Sequence, residues 1–119
     1  GLHFRKPPHA QSKLIFVSSG KILDVVVDIR KDSKTYKKYF SKIISEKNNY
    51  AVFIPKGFAH GYLSLEDNTI VNYLVDEYYN PKSESGIIYN DKTINIDWGI
   101  NDDKIIISKK DKQHKDYKW

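Results

Sequence analysis

What most constrains this chain is its rhythm of short apolar runs. KLIFVSS, KILDVVVDIR, YFSKIIS, YAVFIP, HGYLSL, TIVNYLV, GIIY and KIIIS follow one another along the sequence. Each is rich in Val, Ile, Tyr or Phe, the residues that pack well on a pleated surface. Turn signals separate them: Ser19-Gly20, Lys31-Asp32-Ser33, Lys47-Asn48-Asn49, Glu66-Asp67-Asn68 and Asn80-Pro81. Strands this short and this regularly spaced predict an all-β sandwich or barrel. With 119 residues and neither an internal repeat nor a linker, residues 1–119 are expected to form one domain.

The remaining totals narrow the function classes. Hydrophobic residues make up 39% and charged residues 29%, the balance of a globular rather than a disordered chain. No apolar run approaches the roughly 20 residues of a membrane-spanning helix, so no membrane partner is expected. Cysteine is absent, which excludes disulfides and thiolate metal sites and is compatible with a reducing cytoplasm. The net charge is +5, but only Arg5 and Arg30 are arginines. A nucleic-acid reader usually offers arginine forks, so no nucleic-acid partner is expected. The densest basic run, SKKDKQHKDYK, is broken by acids and reads as a solvated tail, with a modest pull on an anionic small molecule such as a nucleotide diphosphate.

Two stretches hold candidate chemistry. Pro55-Lys56-Gly57-Phe58-Ala59-His60-Gly61 joins two apolar runs, and its Pro and Gly predict a tight turn that aims His60 into the space the strands enclose. The PxGxxH spacing resembles the second signature of cupin barrels. In metal-binding cupins the first signature supplies two His one residue apart and a nearby Glu. Here that region reads His3-Phe4-Arg5-Lys6-Pro7-Pro8-His9, with a cation where a second ligand would fall, so no metal is expected. With metal set aside, the constellation suits proton chemistry. A His base takes an acidic C–H proton beside a carbonyl, a Lys ammonium steadies the enolate, and a Tyr hydroxyl returns a proton from the other face. Tyr73, in TIVNYLVDEYYNP, is the candidate acid, although nine tyrosines leave composition unable to select it. In KILDVVVDIR, alternation puts Asp24, Val26, Asp28 and Arg30 on one side, which by itself reads as a solvent face and in a ligand-binding barrel as the interior.

GLHFRKPPHAQSKL, KILDVVVDIRKDSKTY, IPKGFAHGYLSL, DEYYNPKSESGIIYND and INIDW together resemble the dTDP-4-dehydrorhamnose 3,5-epimerases, in order and over nearly the whole chain. The resemblance implies a cupin-type jelly roll that needs no cofactor. Its substrate would be a dTDP-linked 4-keto-6-deoxyhexose, epimerised at C3 and C5 through an enolate. It implies His3 as base, Asp111 or Asp24 as the acid that orients it, Lys13 as enolate partner and Tyr73 as acid. It places His60 in the sugar pocket, Tyr78 or Tyr79 on the thymine, Glu84 near the nucleotide, and Arg5 where the family has an amide. Leu74 also departs, standing where a Lys commonly follows the catalytic Tyr.

Members of the family carry an N-terminal segment ahead of GLHF, so the chain is expected to be either a fragment or a shortened relative. Sheet edges left open by its absence predict an oligomer, in the first instance a homodimer. Three other readings stay open: a single-centre C3 or C5 epimerase, a non-catalytic sugar-nucleotide-binding cupin, and a metal-dependent cupin oxygenase.

Overall fold

The computed structural model describes residues 1–119. There are eight strands: β1 (Leu2–Arg5), outside the apolar runs named above, and, where seven of those runs predict them, β2 (Lys13–Ser19), β3 (Lys21–Asp28), β4 (Tyr39–Ser45), β5 (Ala51–Ile54), β6 (Phe58–Ser64), β7 (Ile70–Val75) and β8 (Glu84–Ile87). One short helix, α1 (Lys109–Lys112), follows. Every strand pair is antiparallel. One sheet has the order β4-β3-β6-β1-β8 and the other β5-β2-β7. The chain crosses between them at Ser19-Gly20, where Gly20 adopts φ 82°, a left-handed conformation a side chain would strain.

The register decides which side chains meet. Across the larger sheet, Val26 pairs with His60 and His60 with His3, so all three point to the same face. That face meets the smaller sheet over a core of Ile15, Val17, Ile22, Val26, Ile44 and Ile54. The opposite face of the larger sheet presents Leu2, Val25, Val27, Ala59 and Ile87, covered by Ile94 and Trp98 of the C-terminal segment. Fully burying each Leu, Ile or Val side chain among these contributes roughly 1.5–3 kcal/mol. Alternation therefore divides β3 correctly, but neither side is solvent: Asp24 is 1% exposed and Asp28 2%.

Two sequence expectations change. KIIIS forms no strand; it follows a single 3-10 turn, and Ile106 is 99% exposed with no ladder to join. The C-terminal basic run is no free tail either. Buried Asp91 accepts bonds from the backbone N–H of Tyr117 (2.9 Å) and from Trp119 Nε1 (3.1 Å), while Tyr117 and Trp119 pack on the covered face. The lysines of the run stay exposed while its aromatic residues dock, as amphipathic segments do.

Candidate active site

Between the sheets lie two adjoining cavities, each of about 390 Å³, which share His3, Lys13 and Tyr73. The inner lobe adds Ile15, His60, Tyr62 and Asp111. The outer lobe adds Arg5, Gln11, Tyr79, Glu84 and Lys110. Strand alternation explains the gathering. His3 and Arg5 share the inward side of β1, Lys13 and Ile15 share that of β2, and Tyr73 pairs with Ile15 across β7.

Two His–Asp pairs stand in this site. His60 Nε2 lies 2.5 Å from Asp24 Oδ1, with the two side chains 8% and 1% exposed. Asp24 Oδ2 is buried without a partner. Asp24 thus stands behind His60 rather than in the cavity wall. His3 Nε2 lies 3.0 Å from Asp111 Oδ1, with side chains 41% and 20% exposed. The α1 cap delivers that aspartate: Ser108 Oγ accepts from the Asp111 N–H at 3.1 Å. Of the two acids the resemblance offered as orienting His3, Asp111 is the one in contact.

Burial, only partly offset by Asp111, pushes the His3 imidazole below its ordinary range, so it stays unprotonated near neutrality. Burial and then the charge of Arg5 likewise lower the Lys13 ammonium. A neutral imidazole beside a carboxylate, facing an amine and a phenol, is equipped for proton abstraction and return.

The outer lobe is built by tethers. Arg5 Nη1 donates to the Tyr78 carbonyl at 2.7 Å, Gln11 Nε2 to the Glu77 carbonyl at 3.1 Å, and the Ser12 N–H to Asp76 Oδ1 at 2.8 Å. These bonds hold the segment after β7 so that Tyr79 lines the lobe, 5.8 Å from the Arg5 guanidinium. Tyr78 is 91% exposed and lines neither cavity. Glu84 is paired with Lys110 at 3.2 Å, which offsets a carboxylate that would otherwise repel an anion. Sequence reasoning passed over Gln11, Lys110 and His114. Lys110 and His114 were hidden in the basic run, and only the neighbouring Asp111 marked that segment.

The fold and site define a class first: an all-β, cupin-like sandwich with a His–Asp pair, a Lys and a Tyr gathered at a cavity between its sheets. The sequence profile of the family described as dTDP-4-dehydrorhamnose 3,5-epimerase matches residues 1–118. The chain belongs to that family. It is 47% identical over 116 residues to the dTDP-4-dehydrorhamnose 3,5-epimerase of Methanothermobacter thermautotrophicus, covering 97% of this chain and 62% of that relative. It is 48% identical, with TM-score 0.92, to the crystal structure of the Bacillus anthracis enzyme with TDP and PPi bound, covering 96% of this chain and 64% of that one. The Legionella pneumophila dTDP-6-deoxy-D-glucose-3,5-epimerase in complex with dTDP-4-keto-L-rhamnose matches at 38% identity and TM-score 0.90, covering 97% and 60%. The chain thus spans about three fifths of the length of these relatives.

Proposed function

We propose that this chain supplies the catalytic part of a sugar-nucleotide epimerase acting at C3 and C5 of a dTDP-linked 4-keto-6-deoxyhexose. One observation carries the reading: His3, backed by Asp111, shares a cavity wall with Lys13 and Tyr73. His3 Nε2–H donates to Asp111, leaving Nδ1 to take the carbon-bound proton. The adjacent carbonyl becomes an enolate, whose oxygen the Lys13 ammonium stabilises. Tyr73 O–H then protonates the carbon from the opposite face and is itself reprotonated from solvent. No step calls on a cofactor. Binding alone needs neither an acid nor a base, which favours this reading over a non-catalytic cupin.

The inner lobe, with His60, would hold the sugar. Arg5 and Lys110 in the outer lobe would meet the diphosphate, with Glu84 close to the nucleotide and Tyr79, rather than the outlying Tyr78, stacking on the thymine. A homodimer suits the surface: Phe16, Phe53 and Leu74 are exposed on the outward side of the smaller sheet. No helix of the structure is long and apolar enough to cross a membrane. The proposed nucleotide-linked substrate fits a reaction in the cytoplasm.

The test is solvent exchange. The full-length protein in D2O with dTDP-4-keto-6-deoxyglucose is expected to label both C3 and C5, read by NMR. Label at one carbon would make it a single-centre epimerase. No label, with the nucleotide sugar still bound, would overturn catalysis in favour of binding.

A further inference from the structure

His114 is a third group at the His3–Asp111 pair, and the chemistry above does not use it. Its ring stands edge-on to that of His3, with centroids 5.2 Å apart and planes at 73°. Its Nδ1 is buried, has no hydrogen-bond partner, and lies 3.8 Å from Asp111 Oδ1. That is the same oxygen that faces His3 Nε2. One carboxylate oxygen thus sits between two imidazoles. The position is built: Gly86, which pairs with His3 across β1 and β8, has no side chain, and a Cβ there would run into the His114 ring.

We propose that His114 is a positioning residue that shares the Asp111 carboxylate with His3 and so governs how readily His3 takes a proton. The inference rests on the acid–base reading of His3. When His114 is protonated, Asp111 is divided between two cations and the His3 imidazolium is less stabilised. When it is neutral, the carboxylate serves His3 alone. The other charged groups around the cluster are Lys13 from β2, the Lys110–Glu84 pair beside β8, and His60 with Asp24 from β6 and β3. Lys13 also acts to keep His3 unprotonated. Of these groups, His114 alone is a second imidazole on the shared oxygen.

The test is an NMR titration of the His3 imidazole in the full-length protein, for wild type, His114→Phe and His114→Asn. Phe keeps the edge-on ring and removes both nitrogens; Asn keeps a polar group and removes the charge. Both are expected to raise the His3 midpoint by roughly half a unit to one unit, the size of a like charge removed from about 5 Å in a water-like medium. The acid limb of kcat/KM moves upward with it, and Gly86→Ala, which displaces the ring, moves it the same way. A purely structural His114 predicts a lower melting temperature in the Asn variant and an unmoved His3 midpoint in any variant that folds; that result overturns the proposal. The titration needs no turnover. A shifted midpoint in a protein that fails to exchange substrate protons would therefore remove the epimerase reading and leave the linkage standing. Normal exchange with an unmoved midpoint would do the reverse.

Discussion

The two His–Asp pairs of the site are chemically alike and structurally opposed. His60 and Asp24 come from neighbouring strands of one sheet, two rungs apart in the ladder and so on the same face, since Val26 opposes His60 and Asp24 opposes Tyr62. Their pair is shut away from solvent and short. His3 and Asp111 lie at opposite ends of the chain, one on a central strand and the other on a four-residue helix, and their pair is partly open to the cavity. A sheet ladder can hold an ion pair rigidly, but it leaves the imidazole little freedom to exchange protons with a substrate. An aspartate brought in by a docked C-terminal segment leaves the histidine accessible. The buried pair is accordingly scaffold, and the open pair is the one proposed as the acid–base machine.

Four substitutions or titrations break or sharpen that contrast. The largest effect is expected from His3→Asn, which should cut proton exchange by about 10³-fold, within the usual span for losing a general base, while melting temperature and nucleotide-sugar binding hold. Exchange at the wild-type rate would end the assignment. Next is Asp24→Ala, which strands the buried His60; unfolding in denaturant should show a loss of about 3 kcal/mol, as when one partner of a buried pair is removed. Asp111→Asn should invert that profile. Exchange is expected to fall by roughly 10- to 100-fold, with unfolding stability changed by less than about 1 kcal/mol because the pair is partly solvated. If the two aspartates gave the same profile, the division between scaffold and machine would collapse.

The smallest effect is in pH. His3 must be unprotonated to act, and burial, against the pull of Asp111, lowers its proton affinity. The acid limb of kcat/KM should therefore have its midpoint below 6.5, the ordinary value for histidine, so that activity persists into mildly acidic solution. A midpoint above 6.5 would mean that Asp111 outweighs burial.

Most of the strand framework was legible because period-2 alternation and turn residues are local properties. KLIFVSS and YFSKIIS became β2 and β4 residue for residue. KIIIS failed the same test, because β-branched composition does not create a partner strand. The polar side of β3 was legible as a side but not as an interior, since the direction a face points depends on where the second sheet lies. His60 could be singled out from its turn, where Gly57 takes φ 89° between β5 and β6. His3, Lys13 and Tyr73 acquired their meaning from the resemblance of whole stretches, because one imidazole, one ammonium and one phenol among nine tyrosines have no local signature.

By itself, then, the sequence determined the β character, the positions of the turns and the supply of an imidazole, an ammonium and a phenol on strands. Alternation and φ preference act over two to four residues and need nothing distant to be read. The tertiary structure alone decided that Asp111 rather than Asp24 meets His3, that Tyr79 and not Tyr78 lines the outer lobe, and that His114 reaches the same carboxylate. Each depends on packing segments far apart in the chain against one another. For Asp111 and His114 that packing is the work of the Trp98, Tyr117 and Trp119 side chains and the Asp91 clamp, and for Tyr79 of the bonds from Arg5, Gln11 and Ser12; these partners lie tens of residues away and leave no periodic trace.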